Sequence, residues 1–570
     1  MHDLVVRGGM LVDGTGSPPR QADVAIQDGR IAEVGEVTGS GRDEIAAKGM
    51  LVTPGFVDIH THYDGQATWD SLLAPSCYHG VTTVVMGNCG VGFAPVHPGQ
   101  EDFLIQLMEG VEDIPGAALH EGIAWNWETF PEYLDCLDGL RFSMDLGTQV
   151  PHGSVRTYVM GERGANNEPA TAEDIAAMAA IVKEGIAAGA LGFSTSRTIA
   201  HRAITGEPVP GTFAAEDELF GIGRMLGELG TGVFEVAGAG AAGEDVAAPK
   251  AELDWMRRLS AEIQRPVSFA MLQVDTAPRL WRELLDLSAQ ATAEGAQLFP
   301  QVAGRPFGML VGHQTDIHPF SDRPTFAKLR ELPFEERIAQ LRDPAVKRQI
   351  LSETPDEPSL LLSRLGKWFP MGDPPNYEPC YEDSIEALAT RAGRDPVELL
   401  YDKLLEKDGK ELLLLPVLNY SDLIADPIRE MIYHPNAALG LGDGGAHCGI
   451  ICDASIQTFM LTHWVRDRTR GERVPIEFAV KRMTMDTASL YGLGDRGVVA
   501  PGMKGDLNVI DHDALRLELP EMIFDLPAGG KRLMQRARGY QATIVSGTVT
   551  MREDEPTGEL PGRLIRGARA

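Results

Sequence analysis

The two ends of this sequence read alike, and that likeness constrains the fold more than any single residue. The first stretch reads as short strands broken by turns: Leu4-Val5-Val6-Arg7, Met10-Leu11-Val12, Asp23-Val24-Ala25-Ile26 and Arg30-Ile31-Ala32-Glu33-Val34, punctuated by Asp13-Gly14 and Asp28-Gly29. The same texture returns in Gly505-Asp506-Leu507-Asn508-Val509-Ile510 and in Ala542-Thr543-Ile544-Val545-Ser546-Gly547-Thr548-Val549. Neither end alone has enough strands for a stable sheet, so the simplest reading pairs residues 1–55 and 491–570 into one small β-sandwich.

Between the ends, apolar strand-like runs (81–86, 192–194, 233–236) alternate with Ala- and Leu-rich helical stretches (177–188, 219–229). That alternation is the signature of a parallel α/β sheet. Sustained over several hundred residues, it favours a closed (β/α)8 TIM-like barrel over 56–490 rather than an open sheet. With 43 % apolar and 23 % charged residues in a chain of 570, a large buried core is feasible. The region 301–376, rich in Pro, Asp, Glu and Arg with scattered aromatics such as Phe307, Phe320, Trp368 and Phe369, fits the alternation poorly. It reads as an insertion over the barrel mouth, serving either as a lid or as a subunit contact, which leaves a homo-oligomer open.

Lys and Arg number 51 against 82 Asp and Glu, a formal net charge of −31, and no basic run stands out. This argues against a nucleic-acid or anionic-membrane surface and for a small-molecule partner. The start, Met1-His2-Asp3-Leu4-Val5-Val6-Arg7, lacks a basic segment leading into an apolar one, and no window approaches the roughly 20 apolar residues of a membrane span, so a cytoplasmic location is expected. Six thinly spread cysteines are expected to be reduced; five read as small buried hydrophobes, and only Cys89 has neighbours that argue otherwise.

The strongest local signal is Pro54-Gly55-Phe56-Val57-Asp58-Ile59-His60-Thr61-His62. An apolar run enters as a strand, and residues two apart on a strand project to one side, so His60 and His62 converge at its C-terminal end. Barrel enzymes build their sites at that end. Two imidazoles so placed make half of a site for zinc or a neighbouring divalent ion.

Six motifs in order, spanning nearly the whole chain, give a resemblance. They are Gly55-Phe56-Val57-Asp58-Ile59-His60-Thr61-His62-Tyr63-Asp64, Gly80-Val81-Thr82-Thr83-Val84, Gly87-Asn88-Cys89-Gly90, Gly189-Ala190-Leu191-Gly192-Phe193-Ser194, Gly442-Asp443-Gly444-Gly445-Ala446-His447, and Gly497-Val498-Val499-Ala500-Pro501-Gly502-Met503-Lys504-Gly505-Asp506-Leu507. With these the chain resembles the amidohydrolase superfamily, and within it the N-acyl-D-amino-acid deacylase branch. The resemblance implies that His60 and His62 bind metal, that Cys89 is a thiolate ligand, and that Asp443 binds metal and handles protons. A thiolate supplies a negative charge in place of the carbamylated lysine of relatives, and a bound metal keeps it deprotonated. The strand that would carry that lysine reads Leu191-Gly192-Phe193-Ser194-Thr195-Ser196.

The same family has two more metal-binding histidines, at the ends of the fifth and sixth strands. Here those strands read Gly232-Val233-Phe234-Glu235-Val236-Ala237-Gly238 and Pro266-Val267-Ser268-Phe269-Ala270-Met271-Leu272-Gln273, with Glu235 and Gln273 the only polar groups of ligand type. The expectation is therefore one Zn2+ per chain, or another divalent ion, on His60, His62, Cys89 and Asp443. Three further assignments complete the site. His152, in Pro151-His152-Gly153-Ser154, matches a family loop near the substrate and stands against a packed histidine. His447, four after Asp443, could stabilise an oxyanion or supply a missing ligand. Arg197, Arg202 and Arg305 are candidates to hold a substrate carboxylate bidentately, with solvated arginines as the alternative.

The leading expectation is hydrolysis of a non-peptide C–N bond, the amide of an N-acyl D-amino acid, by metal-activated water. A cyclic amide, carbamate or lactone hydrolase, and a metal-poor binding protein without turnover, stand as alternatives.

Overall fold

The computed structural model describes residues 1–355 and 359–567. The two chain ends do pair. One nine-stranded sheet takes five strands from the N-terminal end and four from the C-terminal end, ordered so that Leu51–Pro54 and Leu507–Ile510 are neighbours. They run antiparallel, with Val52 opposite Val509 and Thr53 opposite Asn508. Period-two alternation turns Leu4, Val6, Val24, Ile26, Val52, Leu507, Val509, Ala542 and Ile544 into one buried core. Val5 and Ala25, on the opposite face, pack with Val37, which explains why Leu4-Val5-Val6 is apolar on both faces of the first strand.

Eight parallel strands form the barrel: Phe56–Asp58, Val81–Met86, Asp145–Thr148 continued by Val150–Pro151, Gly192–Ser196, Val233–Ala237, Val267–Ala270, Leu298–Val302 and Ala438–Leu439. The eighth closes on the first through the parallel bridge between Thr61 and Gly444, where His62 N–H donates to Gly444 O at 2.8 Å and Asp443 N–H to His60 O at 3.0 Å. Closure thus falls on the residues that carry the metal motifs. The intervening helices are delimited by local chemistry. Ala172–Ala188, for example, begins where the Thr171 hydroxyl accepts from Asp174 N–H while the Asp174 carboxylate accepts from Thr171 N–H, and ends at Gly189.

Two segments depart from the sequence expectation. The insertion expected over 301–376 is only the opening of a longer excursion between the seventh and eighth strands. Its sheet consists of Phe307–Val311, Phe369–Pro370 and a central strand Leu413–Leu418, which lies beyond 376 and draws the helices before it into the same unit. Phe320, Phe326, Trp368, Leu400, Tyr401 and Leu413 form its own core. Toward the C-terminus, the hairpin of Glu521–Leu526 and Gly530–Met534 leaves the sandwich, and Met522, Leu526, Leu533 and Met534 join the barrel core instead. Among the described residues no helix is long and apolar enough to cross a membrane.

Candidate metal centre

His60 and His62 leave the first barrel strand, Cys89 lies in the turn after the second, and Asp443 follows the eighth. Strand alternation brings the two histidines inward, whereas Cys89 and Asp443 are brought there by backbone the sequence could not announce. Cys89, Asp443 and His447 hold φ of 55°, 46° and 53°, a left-handed conformation that is costly without glycine and is kept where the surroundings impose it. At Cys89 the surroundings are visible. The Asn88 amide donates to Thr61 O at 3.1 Å and to Val85 O at 3.0 Å and accepts from Gln149 at 2.8 Å. Cys89 N–H donates to the Glu235 carboxylate at 2.9 Å, and Gly90 N–H to Ser194 Oγ at 3.0 Å. A Cβ on Gly90 would stand 2.7 Å from Ser196 N, so this turn packs against the fourth strand only with glycine there.

The donor atoms converge. One atom each of His60, His62 and Cys89 lies within 4.8 Å of the others, all buried. His60 Nε2 is 3.4 Å from Cys89 Sγ and 3.4 Å from Asp443 Oδ1, and His62 Nε2 is 3.8 Å from Asp443 Oδ1. Donors each about 2.1–2.3 Å from one ion at tetrahedral angles stand roughly 3.4–3.7 Å apart, so His60, His62 and Cys89 are spaced to share one divalent ion, with Asp443 beside the two histidines but outside that mutually close set. Tautomer control agrees: Gln301 Oε1 lies 2.9 Å from His60 Nδ1, where it accepts Nδ1–H and leaves the Nε2 lone pair facing the other donors.

Electrostatics make the same point. Burial pushes the His60 imidazole down to about 4 and His62 well below the ordinary histidine value. Burial, then the Glu235, Glu112 and Asp443 carboxylates, drives the Cys89 thiol well above the usual thiol value. Burial, then Asp453 and Asp58, drives the Asp443 carboxyl up. Without a cation these groups are held neutral against their chemistry, whereas a divalent ion reverses that balance and favours thiolate and carboxylate.

The remaining expected residues separate clearly. His447 is part of the centre, its Nε2 3.9 Å from Asp443 Oδ2 and 3.9 Å from Glu112 Oε2. His152 is fully buried with Nδ1 2.8 Å from Thr195 Oγ1 and Nε2 2.9 Å from Glu218 Oε1, so both ring nitrogens are engaged away from the donors. Arg305 is sealed in the core, where its guanidinium bonds Asp453, Ser455 and the Cys452 carbonyl over the Tyr377 ring. Arg197 is bound through Nε to both oxygens of Glu252, 3.1 Å each. All three nitrogens of Arg305 are thus engaged inside the protein, and in Arg197 Glu252 takes Nε while Ala214 O takes Nη1 at 2.7 Å, so neither offers a free fork to a substrate carboxylate. Arg202 is exposed and bonds Gly206 O at 2.8 Å.

Of the two polar groups on the altered strands, Glu235 reaches the centre and is pushed up by burial to about 8. The Gln273 side chain turns away, donating to Pro278 O and accepting from Ser421 N–H, while its backbone N–H donates to Asn419 Oδ1. Sequence reasoning missed Gln301, Glu112 and His201. His201 lies in the loop after the fourth strand and has Nδ1 3.0 Å from Ser196 Oγ. For Glu112 the one available signal was an acidic helix end running into Asp113-Ile114-Pro115.

Comparison with known proteins places this architecture. The profile described as the Amidohydrolase family matches residues 43–551. The D-aminoacylase of Alcaligenes xylosoxydans xylosoxydans is 26 % identical over 99 % of this chain and 97 % of its own length. A D-aminoacylase crystal structure superposes with a TM-score of 0.66 at 24 % identity, covering 99 % of this chain and all of that one. The N-acyl-D-glutamate deacylase of Bordetella bronchiseptica, solved with zinc and a phosphonate mimic of the tetrahedral intermediate, superposes at 0.64 and 22 % identity, covering 99 % of each chain.

Proposed function

The chain belongs to the amidohydrolase family, hydrolases of carbon–nitrogen bonds other than peptide bonds, and from that premise we propose that it cleaves the amide of an N-acyl D-amino acid in the cytoplasm, using one zinc ion. The observation that carries this reading is the buried cluster of His60, His62 and Cys89 with Asp443 Oδ1 3.4 Å from His60 Nε2. These four residues would hold the ion. When bound, it would polarise the scissile carbonyl and bring the pKa of the hydrolytic water toward about 7.

The chain's own groups do the rest. Asp443 Oδ2 accepts the water's proton and returns it to the leaving nitrogen, a role suited to a carboxyl whose burial favours the protonated form. His447, 3.9 Å from that oxygen, faces the same space and is placed to donate toward the developing oxyanion. Glu235 braces the turn that aims Cys89. N-acyl D-amino acids suit this reading because the relatives include a D-aminoacylase and an N-acyl-D-glutamate deacylase.

One observation favours a second reading. With Arg305 and Arg197 bound to Asp453 and Glu252, two of the three guanidiniums expected to hold a substrate carboxylate are spent, which favours an amide lacking that carboxylate, such as a cyclic amide.

The test is elemental analysis of wild type and Cys89→Ala, followed by a panel of N-acetyl D- and L-amino acids, N-acetyl amines and cyclic amides. About one zinc per chain, weakened in the variant, with turnover of N-acetyl-D-amino acids, supports the first reading. Turnover confined to uncharged amides moves the assignment to the second. No metal after zinc-replete purification overturns both.

A further inference from the structure

Glu112 is placed where elementary electrostatics disfavours it. It is the last residue of the helix Glu101–Glu112, whose carbonyl end carries the negative pole of the helix dipole, and its side chain is 2 % exposed. A buried carboxylate at that pole needs a compensating partner. Among the described residues no lysine or arginine pairs with it; its ionic neighbours are His62 and His447. Glu112 Oε1 lies 3.3 Å from His62 Nδ1, close but not aligned as a hydrogen bond, and both atoms are buried with no hydrogen-bond partner. Buried polar atoms are rarely left unpaired, and two facing each other point to a bond that tightens when the centre is complete.

The position is built rather than incidental. Leu104, Ile105, Leu107, Met108 and Val111 anchor the helix in the barrel core. Asp113 then reverses the chain at φ 53° and its carboxylate accepts Gly449 N–H at 2.8 Å, while His447 N–H donates to Glu112 O. The helix end is therefore stitched to the loop that carries Asp443 and His447.

We infer that Glu112 is a positioning residue that accepts Nδ1–H of His62, fixing the tautomer that turns Nε2 toward the metal, and whose other oxygen steadies His447 across the mouth. The inference rests on the metal-hydrolase reading above. His60 and His62 are then matched, each with Nδ1 facing an oxygen acceptor: the amide of Gln301 for one, a carboxylate for the other. A carboxylate makes its histidine the more basic ligand, and losing such a partner typically weakens metal binding about 10–100-fold.

The experiment titrates chelator-stripped protein with Co2+, followed by the thiolate-to-cobalt absorption, for wild type, Glu112→Ala and Glu112→Gln, with circular dichroism to confirm that each variant is folded. The expected result is stoichiometric binding by wild type, affinity lower by about 10–100-fold in Glu112→Ala, and substantial recovery in Glu112→Gln, whose amide oxygen still accepts Nδ1–H. Glu112→Gln also answers the question should the alanine variant not fold, since an affinity intermediate between wild type and a His62→Ala control supports the role. Wild-type affinity in folded Glu112→Ala or, if that variant does not fold, affinity in Glu112→Gln as low as in His62→Ala overturns the inference and leaves the metal-hydrolase reading standing. Failure of wild type to bind cobalt overturns both.

Discussion

The two halves of the barrel mouth are built on different plans. On the side of strands one, two and eight, three side chains sit on left-handed backbone and the turns that carry them are tied down: Asn88 ties the Cys89 turn to the first strand, and Asp443 N–H bonds His60 O. On the side of strands five and six, Glu235 is the carboxylate that reaches the centre, Ser268 spends its hydroxyl on Phe299 O at 3.0 Å, and Gln273 braces the loop around Asn419. The difference teaches that a barrel can concentrate ion binding in one arc of its rim. The facing arc is then released to shape the pocket, and its single carboxylate supports the ion-binding arc from across the barrel.

That division can be broken most directly at Cys89. Cys89→Ala and His60→Ala are expected to strip the ion and lower kcat/KM by about 10³-fold or more, whereas Gln273→Ala keeps the ion; parallel elemental analysis and rate measurements decide it, and equal losses from both arcs would end the distinction. Asp443→Asn should lower kcat by about 10²–10⁴-fold, with the ion largely retained, because the amide cannot shuttle the proton. Glu235→Ala sharpens the claim that the far arc acts through the Cys89 turn: affinity for Co2+ should fall about 10–100-fold, with Glu235→Gln recovering most of it through its carbonyl oxygen.

The smallest effect lies away from both arcs, in the excursion. Burial works to raise the Glu378 carboxyl, but hydrogen bonds from His463 and Arg468 outweigh it and hold it down to about 2, against an ordinary 4.5. Its folded value is the lower one, so its contribution of about 3 kcal/mol is complete above about pH 4.5 and is lost as pH falls toward 2. Glu378→Gln should therefore lower the urea midpoint at pH 7, and the gap to wild type should close on acidification through that window. A gap independent of pH would refute the assignment.

How much of this was legible depended on whether a residue's role was local. His60 and His62 were readable because a period-two strand entering from Pro54-Gly55-Phe56 fixes their common direction by itself. Cys89 and Asp443 required the family resemblance, since a left-handed turn leaves only a glycine-rich trace. Glu112 was invisible: at the end of an amphipathic helix it reads as a solvated acid, and only the reversal at Asp113 and the approach of the 447–449 loop bring it inward. Arg305 failed in the opposite sense. It looked like a loop cation near the mouth, and its partners Asp453 and Ser455 lie some 150 positions away, beyond the reach of any sequence window. The excursion was undersized for the same reason, because its central strand, Leu413–Leu418, pairs backward with Phe307–Val311.

The antiparallel pairing of Leu51–Pro54 with Leu507–Ile510 also sets a timetable. At the 5–20 residues per second typical of synthesis, the partner strand emerges roughly 20–90 s after the first, separated from it by about 450 residues. Through that interval an apolar strand immediately upstream of the metal motif keeps one edge unsatisfied, open to pairing with a neighbouring nascent chain. Leu507–Ile510 is thus the late strand that shields an early one, and loss of the strands from Leu507 onward by premature termination should yield aggregates rather than a working barrel.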